Sequence, residues 1–303
     1  MDYAIGIDFG GTKIEARLIS DEGETLFTTR TPTEADKSKD HVVDNILKVI
    51  RKTEVEAGRK DLEVKGVGIG TPGFVLPDGR MALISNIPTL EGVPLRSEIQ
   101  ERMDIPVFLE NDANCFALAE HTFGAGREYD HTVGIIWGTG IGSGIISDDR
   151  ICRGHMGAAG EIGHAILNPD GELPCRSCGR KGDWESFCSA PNLFAYYRHW
   201  GGEKEDVTVQ YIMNDSDPVA TRVKEQSLHY MARGISFLIS ALNPDLVVLG
   251  GGISNYDSYE ELNRRTNELV PESLKNTCRI RQFEIGDSAG VLGAAALVFK
   301  GIE

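Results

Sequence analysis

Two short glycine-rich segments of this chain have residue types suited to binding phosphate, Gly10-Gly11-Thr12 and Gly138-Thr139-Gly140. Because glycine has no Cβ, its backbone amide can approach an anionic oxygen closely, and successive N–H groups can surround that oxygen. The glycine spacing fits neither the Walker motif nor Gly-x-Gly-x-x-Gly, and each segment returns into a strand instead of opening a helix. Each segment alone also fits a plain tight hairpin turn, but the pair at matching positions favours a polyphosphate ligand.

A third polar segment, Glu110 to Asn114, follows apolar residues 107–109 and precedes a helical pattern. Its side chains are therefore expected at the carboxyl end of a strand, where open α/β sheets bind ligands. There the Asp112 carboxylate can accept a proton from a hydroxyl that attacks phosphorus, and Asn111 can both donate to and accept from a polyol. Taken alone, the segment is better explained by Asp112 or Asn114 capping the helix.

The second half of the chain contains a group of potential metal ligands. Cys175 and Cys178 form a Cys-x-x-Cys pair next to glycines, which resembles half of a tetrahedral zinc site. His164 and Asp183 are candidates for the other two ligands. A lone Cys-x-x-Cys pair does not establish a metal site, and the remaining cysteines are scattered, so free thiols are expected for them.

The elements that position these residues repeat within the chain. The segment from Tyr3 to Ser20 alternates apolar residues around the first glycine turn and predicts a β-hairpin. About 128 positions later the same pattern recurs from Thr132 to Ser147. A repeat at that distance is too long for a solenoid unit. It predicts two similar domains, each opening with a strand, a glycine turn and a strand, with a cleft between them.

Strands and helices alternate along the rest of the chain in the manner of layered α/β proteins. The expected elements include a helix at 41–57, a strand at 65–70, a long helix capped by Asp217-Pro218 and a strand at 245–249. We assign residues 1–113 to a first lobe and 114–288 to a second. A final apolar helix, at about 289–303, can fold back on either lobe, and the composition does not decide which.

The overall composition excludes several classes of partner. The chain has 303 residues, with 31 basic and 46 acidic side chains and a net charge of -15. This charge repels phosphate backbones and anionic lipid surfaces, so neither nucleic acid nor a membrane is expected as a partner. No apolar run approaches the roughly 20 residues that cross a bilayer, and the first residues form a strand pattern without the regions of a signal peptide. We therefore expect a cytoplasmic protein.

Taken in order, these segments resemble the motifs of the ROK sugar kinases, a family that includes bacterial glucokinases, fructokinases and N-acetylhexosamine kinases. The resemblance covers essentially the whole chain and rests on a phosphate motif at Asp8 to Lys13, a catalytic motif at Glu110 to Asn114, a second phosphate motif at Gly138 to Gly142, a sugar and zinc signature from Glu161 to Glu185, and an adenosine region at Leu249 to Gly252. It implies an α/β fold of two actin-like (ribonuclease H-like) lobes and the ATP-dependent phosphorylation of a hexose or N-acetylhexosamine, with O6 as the expected acceptor.

The same resemblance implies a role for individual residues. Asp112 is the implied general base, ATP and Mg²⁺ are the implied cofactors, and Asp8 lies near the metal. The implied sugar-binding residues are Gly73, Asn86, Asn111, Asp112, Glu161, His164 and Glu185. The implied ATP-binding residues are Asp8, Gly10, Gly11, Thr12, Lys13, Gly138, Thr139, Gly140, Gly250, Gly251 and Gly252. The implied zinc ligands are His164, Cys175, Cys178 and Asp183.

One position departs from the family pattern. The family usually has Cys-x-Cys-Gly-x-x-Gly-Cys, whereas this chain has Cys-x-x-Cys-Gly-x-x-Gly with Asp183 in place of the third cysteine. Aspartate can bind zinc through oxygen, and Cys188 is nearby in sequence. The sequence is therefore compatible with a bound zinc ion and also with a loop that is stabilised in some other way.

The segment before the second helix bears on the choice of sugar. Residues 85–95 are closer to N-acetylglucosamine kinases than to glucokinases, so N-acetylglucosamine is the favoured substrate, with glucose or fructose as alternatives. The family implies a homodimer.

Some relatives are sugar-responsive repressors with an N-terminal helix-turn-helix, but here the first hairpin begins at residue 3. An actin-like ATPase without a sugar substrate would have no use for Glu161, His164 and Glu185.

Overall fold

The computed structural model describes residues 1–84 and 86–302, and its contacts divide the chain into two compact units. Unit 1 comprises residues 1–127, 144–159 and 284–303, and unit 2 comprises 128–143 and 160–283. The division expected from the sequence, at residue 113, differs from this one, because 114–127, 144–159 and 284–288 all belong to unit 1. Ser85, in the segment used to choose a sugar, and Glu303, at the end of the expected last helix, lie outside the described residues.

The elements follow the alternation expected from the sequence. In the first part of the chain they are β1 Tyr3–Phe9, β2 Lys13–Ser20, β3 Thr25–Pro32, α1 Lys39–Arg59, β4 Val64–Thr71, β5 Phe74–Val75, β6 Met81–Ala82, α2 Leu95–Gln100, β7 Val107–Asn111 and α3 Asp112–Phe123. They continue with β8 His131–Trp137, β9 Ile141–Ser147, β10 Arg150–Ile151, α4 Glu185–Cys188, α5 Ala190–His199, α6 Val209–Met213, α7 Pro218–Leu242, β11 Leu246–Gly250, α8 Tyr259–Leu269, β12 Arg279–Gln282 and α9 Ala289–Lys300.

The first sheet lies within unit 1 and has the strand order β3-β2-β1-β4-β7. Strands β1 and β2 form the predicted antiparallel hairpin, and β1, β4 and β7 are parallel. One face of this sheet is covered by α1 and α2, whose apolar side chains share a buried cluster with Ile5, Ile7 and Phe9. Helices α3 and α9 share a second buried cluster. Because side chains alternate along a strand, β1 contributes Gly6 to the opposite side.

Helix α9 packs on β1 and β4 at glycine positions, which answers the question that composition left open. A Cβ on Gly68 of β4 would overlap the backbone carbonyl oxygen of Ala294, and one on Gly6 would overlap that of Val291. A Cβ on Gly293 would likewise overlap the carbonyl oxygen of Cys115 in α3. These glycines let the backbones approach more closely than any side chain allows, so the last helix belongs to unit 1.

The second sheet has the order β10-β9-β8-β11-β12, which repeats the order of the first sheet. Strands β8, β11 and β12 are parallel, and β9 and β10 are antiparallel. The first residues of β9, 141–143, belong to unit 2 and its last residues, 144–147, to unit 1. The shared order confirms the internal repeat predicted from the two hairpins.

The longest helix, α7, has the predicted ends. The side chain of Asp217 accepts a hydrogen bond from the backbone N–H of Ala220 at 2.7 Å, and Pro218 occupies the first turn. The helix stops at Asn243, which adopts the left-handed conformation directly before Pro244. Among the described residues, the helices are all too short or too polar to cross a membrane.

Candidate functional site

Three parallel strands of unit 1 bring predicted site residues to one edge of the first sheet. Asp8 at the end of β1 pairs in register with Gly70 of β4, and Thr71 of β4 pairs with Asn111 of β7. Since the carboxyl ends of parallel strands share an edge, Asp8, Asn111 and the following Asp112 lie at the same end of the sheet.

Asn111 is the cap of helix α3. Its Oδ1 accepts hydrogen bonds from the backbone N–H groups of Ala113 at 2.9 Å and Asn114 at 3.3 Å. Its Nδ2 donates to the backbone carbonyl of Gly73 at 2.8 Å. The expectation that Asp112 or Asn114 is the cap is therefore corrected, because Asp112 is already the first helical residue. One Asp112 oxygen, Oδ1, accepts from the N–H of Ala113 at 2.8 Å.

Glu110 is a structural partner of this site that the sequence reasoning did not assign. It is nearly fully buried, and its Oε1 accepts from the backbone N–H of Asn111 at 2.8 Å and the side chain of Asn114 at 2.9 Å. Its Oε2 accepts from Nε of Arg153 at 2.5 Å. An acidic residue at the end of an apolar strand was the available signal, but its partner, 43 residues away, was not visible in the pattern.

The first glycine turn is closed by its own backbone. The N–H of Gly10 donates to the carbonyl of Lys13 at 3.0 Å, and the Thr33 hydroxyl donates to the Gly10 carbonyl at 2.6 Å. Within the described chain, no hydrogen bond engages the N–H groups of Gly11 and Thr12. Those two donors are therefore available to a ligand such as phosphate.

Two further predicted residues lie at this turn. A Cβ on Gly11 would come within 3.1 Å of the Asn86 Cβ, so the predicted sugar residue Asn86 contacts the predicted phosphate turn. The Lys13 side chain is mostly exposed, and its Nζ lies 3.5 Å from Oε2 of Glu15.

Asp8 is a partly buried carboxylate in the same part of unit 1. Burial raises the pKa of the Asp8 carboxyl above its ordinary value, with Lys13 opposing the shift and Glu15 adding to it. A Cβ on Gly290 of α9 would lie 3.2 Å from its Cγ, so the glycine leaves room for the carboxylate. Burial destabilises the charged form of a carboxylate, and a nearby cation stabilises that form again.

In unit 2 the two predicted ATP segments lie side by side. Strands β8 and β11 are parallel, with Gly250 in register with Ile136, so both strands end at the same edge. Gly251 has φ +85°, and a Cβ there would collide with the backbone of Trp137. The second turn has Gly138 N–H donating to the Gly140 carbonyl at 3.1 Å.

The second turn shares a further property with the first. Among the described residues, the N–H groups of Thr139 and Gly140 make no hydrogen bond. Each of the two hairpins therefore offers a pair of backbone N–H donors, and the two pairs occupy matching positions in their glycine turns.

Glu185 connects the second turn to the cysteine loop within unit 2. Its Oε2 accepts from the backbone N–H of Ile141 at 2.9 Å and would lie 2.7 Å from a Cβ on Gly140. Its Oε1 accepts from Sγ of Cys175 at 3.2 Å and from the hydroxyl of Ser177. Both oxygens of this predicted sugar ligand are thus engaged by its own unit.

The four predicted zinc ligands come together. One potential ligand atom from each of His164, Cys175, Cys178 and Asp183 lies within 4.8 Å of all the others. Oδ2 of the fully buried Asp183 is 3.2 Å from Nδ1 of His164 and accepts from Sγ of Cys178 at 3.1 Å. Its Oδ1 accepts from the backbone N–H of Ser186 at 2.8 Å, which fixes the carboxylate. Two sulfur atoms, one nitrogen and one oxygen form a donor set that fits tetrahedral zinc.

Glu161 lies beside this cluster. The surrounding protein raises the pKa of its carboxyl by desolvation, while His164 opposes the shift and Glu185 adds to it. Glu161 therefore lies close enough to His164 and Glu185 to feel the charge of each.

Comparison with known proteins finds similarity along almost the whole chain. A protein-family model described as the ROK family matches residues 4–300. The glucokinase of Thermotoga maritima is 31% identical over 97% of this chain and 96% of its own length. The N-acetyl-D-glucosamine kinase of Vibrio parahaemolyticus is 34% identical over 97% of this chain and 99% of its own length. The crystal structure of a ROK hexokinase from Thermus thermophilus superposes with a TM-score of 0.85 at 31% identity, covering 99% of this chain and 98% of that one.

Proposed function

The chain belongs to the ROK family, whose sugar kinases have two actin-like lobes, and we propose that it transfers the γ-phosphate of ATP to O6 of N-acetylglucosamine. The observation that carries the proposal is the position of Asp112. It is the first residue of α3, directly after Asn111, which holds the Gly73 segment by a hydrogen bond of 2.8 Å.

Asp112 acts as the general base. Its carboxylate accepts the proton of the sugar hydroxyl as that oxygen attacks the γ-phosphorus. Asn111 caps α3 and Glu110 accepts from the N–H of Asn111, so the helix start is fixed on two sides. Phosphoryl transfer depends mainly on positioning and charge neutralisation, and a fixed base meets the first need.

The two glycine turns bind the phosphates of ATP. Phosphate oxygens accept hydrogen bonds from the N–H groups of Gly11, Thr12, Thr139 and Gly140. Residues Gly250 to Gly252 lie against the second turn and bind the nucleotide there. Asp8 would hold Mg²⁺, a cation that prefers oxygen ligands and commonly takes one carboxylate together with substrate phosphates. When bound, Mg²⁺ neutralises charge on the phosphates.

The residues that we propose bind the sugar are Gly73, Asn86, Asn111, Glu161 and His164. Nδ1 of His164 faces Asp183, while Nε2 makes no hydrogen bond within the described residues and can serve a hydroxyl. A Zn²⁺ ion held by His164, Cys175, Cys178 and Asp183 would brace the loop that carries His164. Glu185 holds the loop of Cys175 and Ser177 to the start of β9.

Glucose is the second candidate substrate, because the glucokinase of Thermotoga maritima matches nearly as well as the N-acetylglucosamine kinases do. The two sugars differ at C2, by a hydroxyl or an acetamido group. A binding site that hydrogen-bonds one of these groups discriminates strongly against the sugar that lacks it.

The test is a coupled assay of ADP release from ATP with glucose, fructose, mannose, N-acetylglucosamine and N-acetylmannosamine. We expect release that depends on added sugar and a kcat/KM that is highest for N-acetylglucosamine. A higher kcat/KM for glucose would transfer the assignment to glucokinase. Release that does not depend on sugar, or no release at all, would contradict the kinase and favour an ATPase or a sugar-sensing regulator.

A further inference from the structure

Unit 1 contains a pocket of about 270 Å³ to which none of the roles above has been assigned. Four apolar residues line it, Val75, Leu76, Pro77 and Leu109. The lining also includes two arginines, Arg96 and Arg153. Neither arginine belongs to the predicted sugar or ATP residues. The pocket is therefore a separate feature whose lining combines apolar and cationic residues.

The charges at the pocket do not cancel. Arg153 pairs with the buried Glu110 through Nε, but its buried Nη2 has no hydrogen-bond partner among the described residues. Arg96 makes no salt bridge or side-chain hydrogen bond within residues 1–84 and 86–302. The nearby Asp78 is paired with Arg80 at 2.7 Å. One positive charge is left over at this place, in a chain whose net charge is -15.

The backbone around the pocket is fixed by glycine. Gly157 has φ +73°, and a Cβ there would collide with the carbonyl oxygen of Val75, so Gly157 lies directly against β5. Gly79 has φ +79°, and a Cβ there would lie 3.3 Å from the Arg96 Cβ and 3.4 Å from its Nε. The Arg96 side chain thus lies along the hairpin turn, and its guanidinium is held at the pocket.

We propose that this pocket binds a small molecule that carries an oxyanion, either a phosphate ester or a carboxylate. Guanidinium groups present paired N–H donors that match both anions, and the guanidinium of Arg96 has no other partner within the described residues. The apolar lining residues suit the carbon skeleton of the ligand, in the way that small-molecule sites combine an apolar lining with a few polar groups. The site does not depend on the kinase assignment, because none of its residues takes part in the proposed transfer.

The test is calorimetric titration of the full chain with glucose 6-phosphate, inorganic phosphate and acetate. A non-hydrolysable ATP analogue and Mg²⁺ are present in excess, so that anions do not bind the glycine turns. For at least one probe we expect binding that Arg96→Gln weakens about tenfold or more, as loss of a charged hydrogen bond predicts. Arg80→Gln is the matched control, since Arg80 is a neighbouring arginine that is already paired and does not line the pocket.

The three probes identify the source of the anion. Tightest binding of glucose 6-phosphate assigns the site to phosphorylated sugars, of inorganic phosphate to the free ion, and of acetate to carboxylates. An Arg96→Lys variant that keeps part of the affinity supports the site as well, because lysine retains the charge without the paired donors. The proposal is overturned if no probe binds, if Arg96→Gln binds as tightly as the wild type, or if Arg80→Gln weakens binding equally. Sugar turnover without added anion should be unchanged in both glutamine variants.

Discussion

The side-chain amide of Asn111 donates a hydrogen bond of 2.8 Å to the backbone carbonyl of Gly73, a residue 38 positions earlier in the chain. The oxygen of the same amide caps helix α3. One side chain therefore fixes two things, the start of the helix that carries Asp112 and the segment that carries Gly73. The two functions can be separated by substitution.

Replacing Asn111 with aspartate keeps the cap but removes the donor. Aspartate caps helices about as well as asparagine. Its second oxygen would face the Gly73 carbonyl, which would lose its partner at a cost of about 1–3 kcal/mol. We expect the KM for sugar to rise roughly tenfold. Asn111→Ala loses the cap as well and should be about 1 kcal/mol less stable than Asn111→Asp in urea unfolding. Equal KM values for Asn111→Asp and the wild type would contradict a role for the Gly73 contact in sugar binding.

Replacing Asp112 with asparagine tests the proposed base. The side chain keeps its shape, and the cap, which belongs to Asn111, is untouched. We expect kcat to fall by about 10²–10⁴, the usual contribution of a positioned base, with a small change in sugar KM. Steady-state kinetics with N-acetylglucosamine measure both constants. Near-normal kcat in a correctly folded Asp112→Asn protein would exclude the assignment.

The sequence predicted local features well and the long-range ones poorly. Alternation around the glycine turns predicted both hairpins, and Asp217 with Pro218 predicted the start of α7, because these signals depend on neighbouring residues. The boundary expected at residue 113 differs from the boundary in the structure, because α3 packs against α9 at Gly293, and such a long-range contact is not visible in one sequence. The Glu110 to Arg153 pair joins residues 43 positions apart, and one sequence gives no sign of such a pairing.

Asp8→Asn tests the buried carboxylate through the pH dependence of stability. Burial raises the pKa of Asp8 above its unfolded value of about 3.9. The unliganded protein is therefore stabilised below that value and loses this stability as the pH rises through the folded pKa. An asparagine at this position cannot ionise and avoids the loss, so the variant should be more stable than the wild type at pH 7 and show no such advantage below about pH 3.9.

The same variant should respond differently to ligand. Mg²⁺ with an ATP analogue should raise the Tm of the wild type, because binding to the folded state stabilises it. The increase should be much smaller for Asp8→Asn, which lacks the metal-binding charge. Thermal unfolding at several pH values, with and without ligand, measures both effects. A stability difference that is independent of pH would show that burial of the Asp8 charge is not its cause.

Substitutions of Asp183 test the zinc site. Its Oδ2 lies beside His164 and Cys178, so Asp183→Asn should weaken zinc binding by at least tenfold, because a neutral amide is a poor zinc ligand. Asp183→Cys should retain zinc, as a thiolate supplies the more usual ligand. Metal analysis and the Tm before and after chelation give the readout. A wild-type protein without zinc, or an Asp183→Asn protein with equal zinc content and affinity, would exclude the site.

Two glycine-to-alanine substitutions in unit 1 test the packing of α9. A methyl group at Gly68 would overlap the Ala294 carbonyl, and since backbone atoms cannot rotate away, we expect a loss of about 3 kcal/mol, the upper end for overpacking. Among the described residues, no atom outside the neighbouring backbone of α1 lies within 4 Å of the position that a Cβ on Gly58 would take, and alanine there should stabilise the helix by up to about 1 kcal/mol. Urea unfolding measures both changes. A Gly68→Ala protein as stable as the wild type would mean that α9 does not lie on β4 at this distance, whatever the result at Gly58.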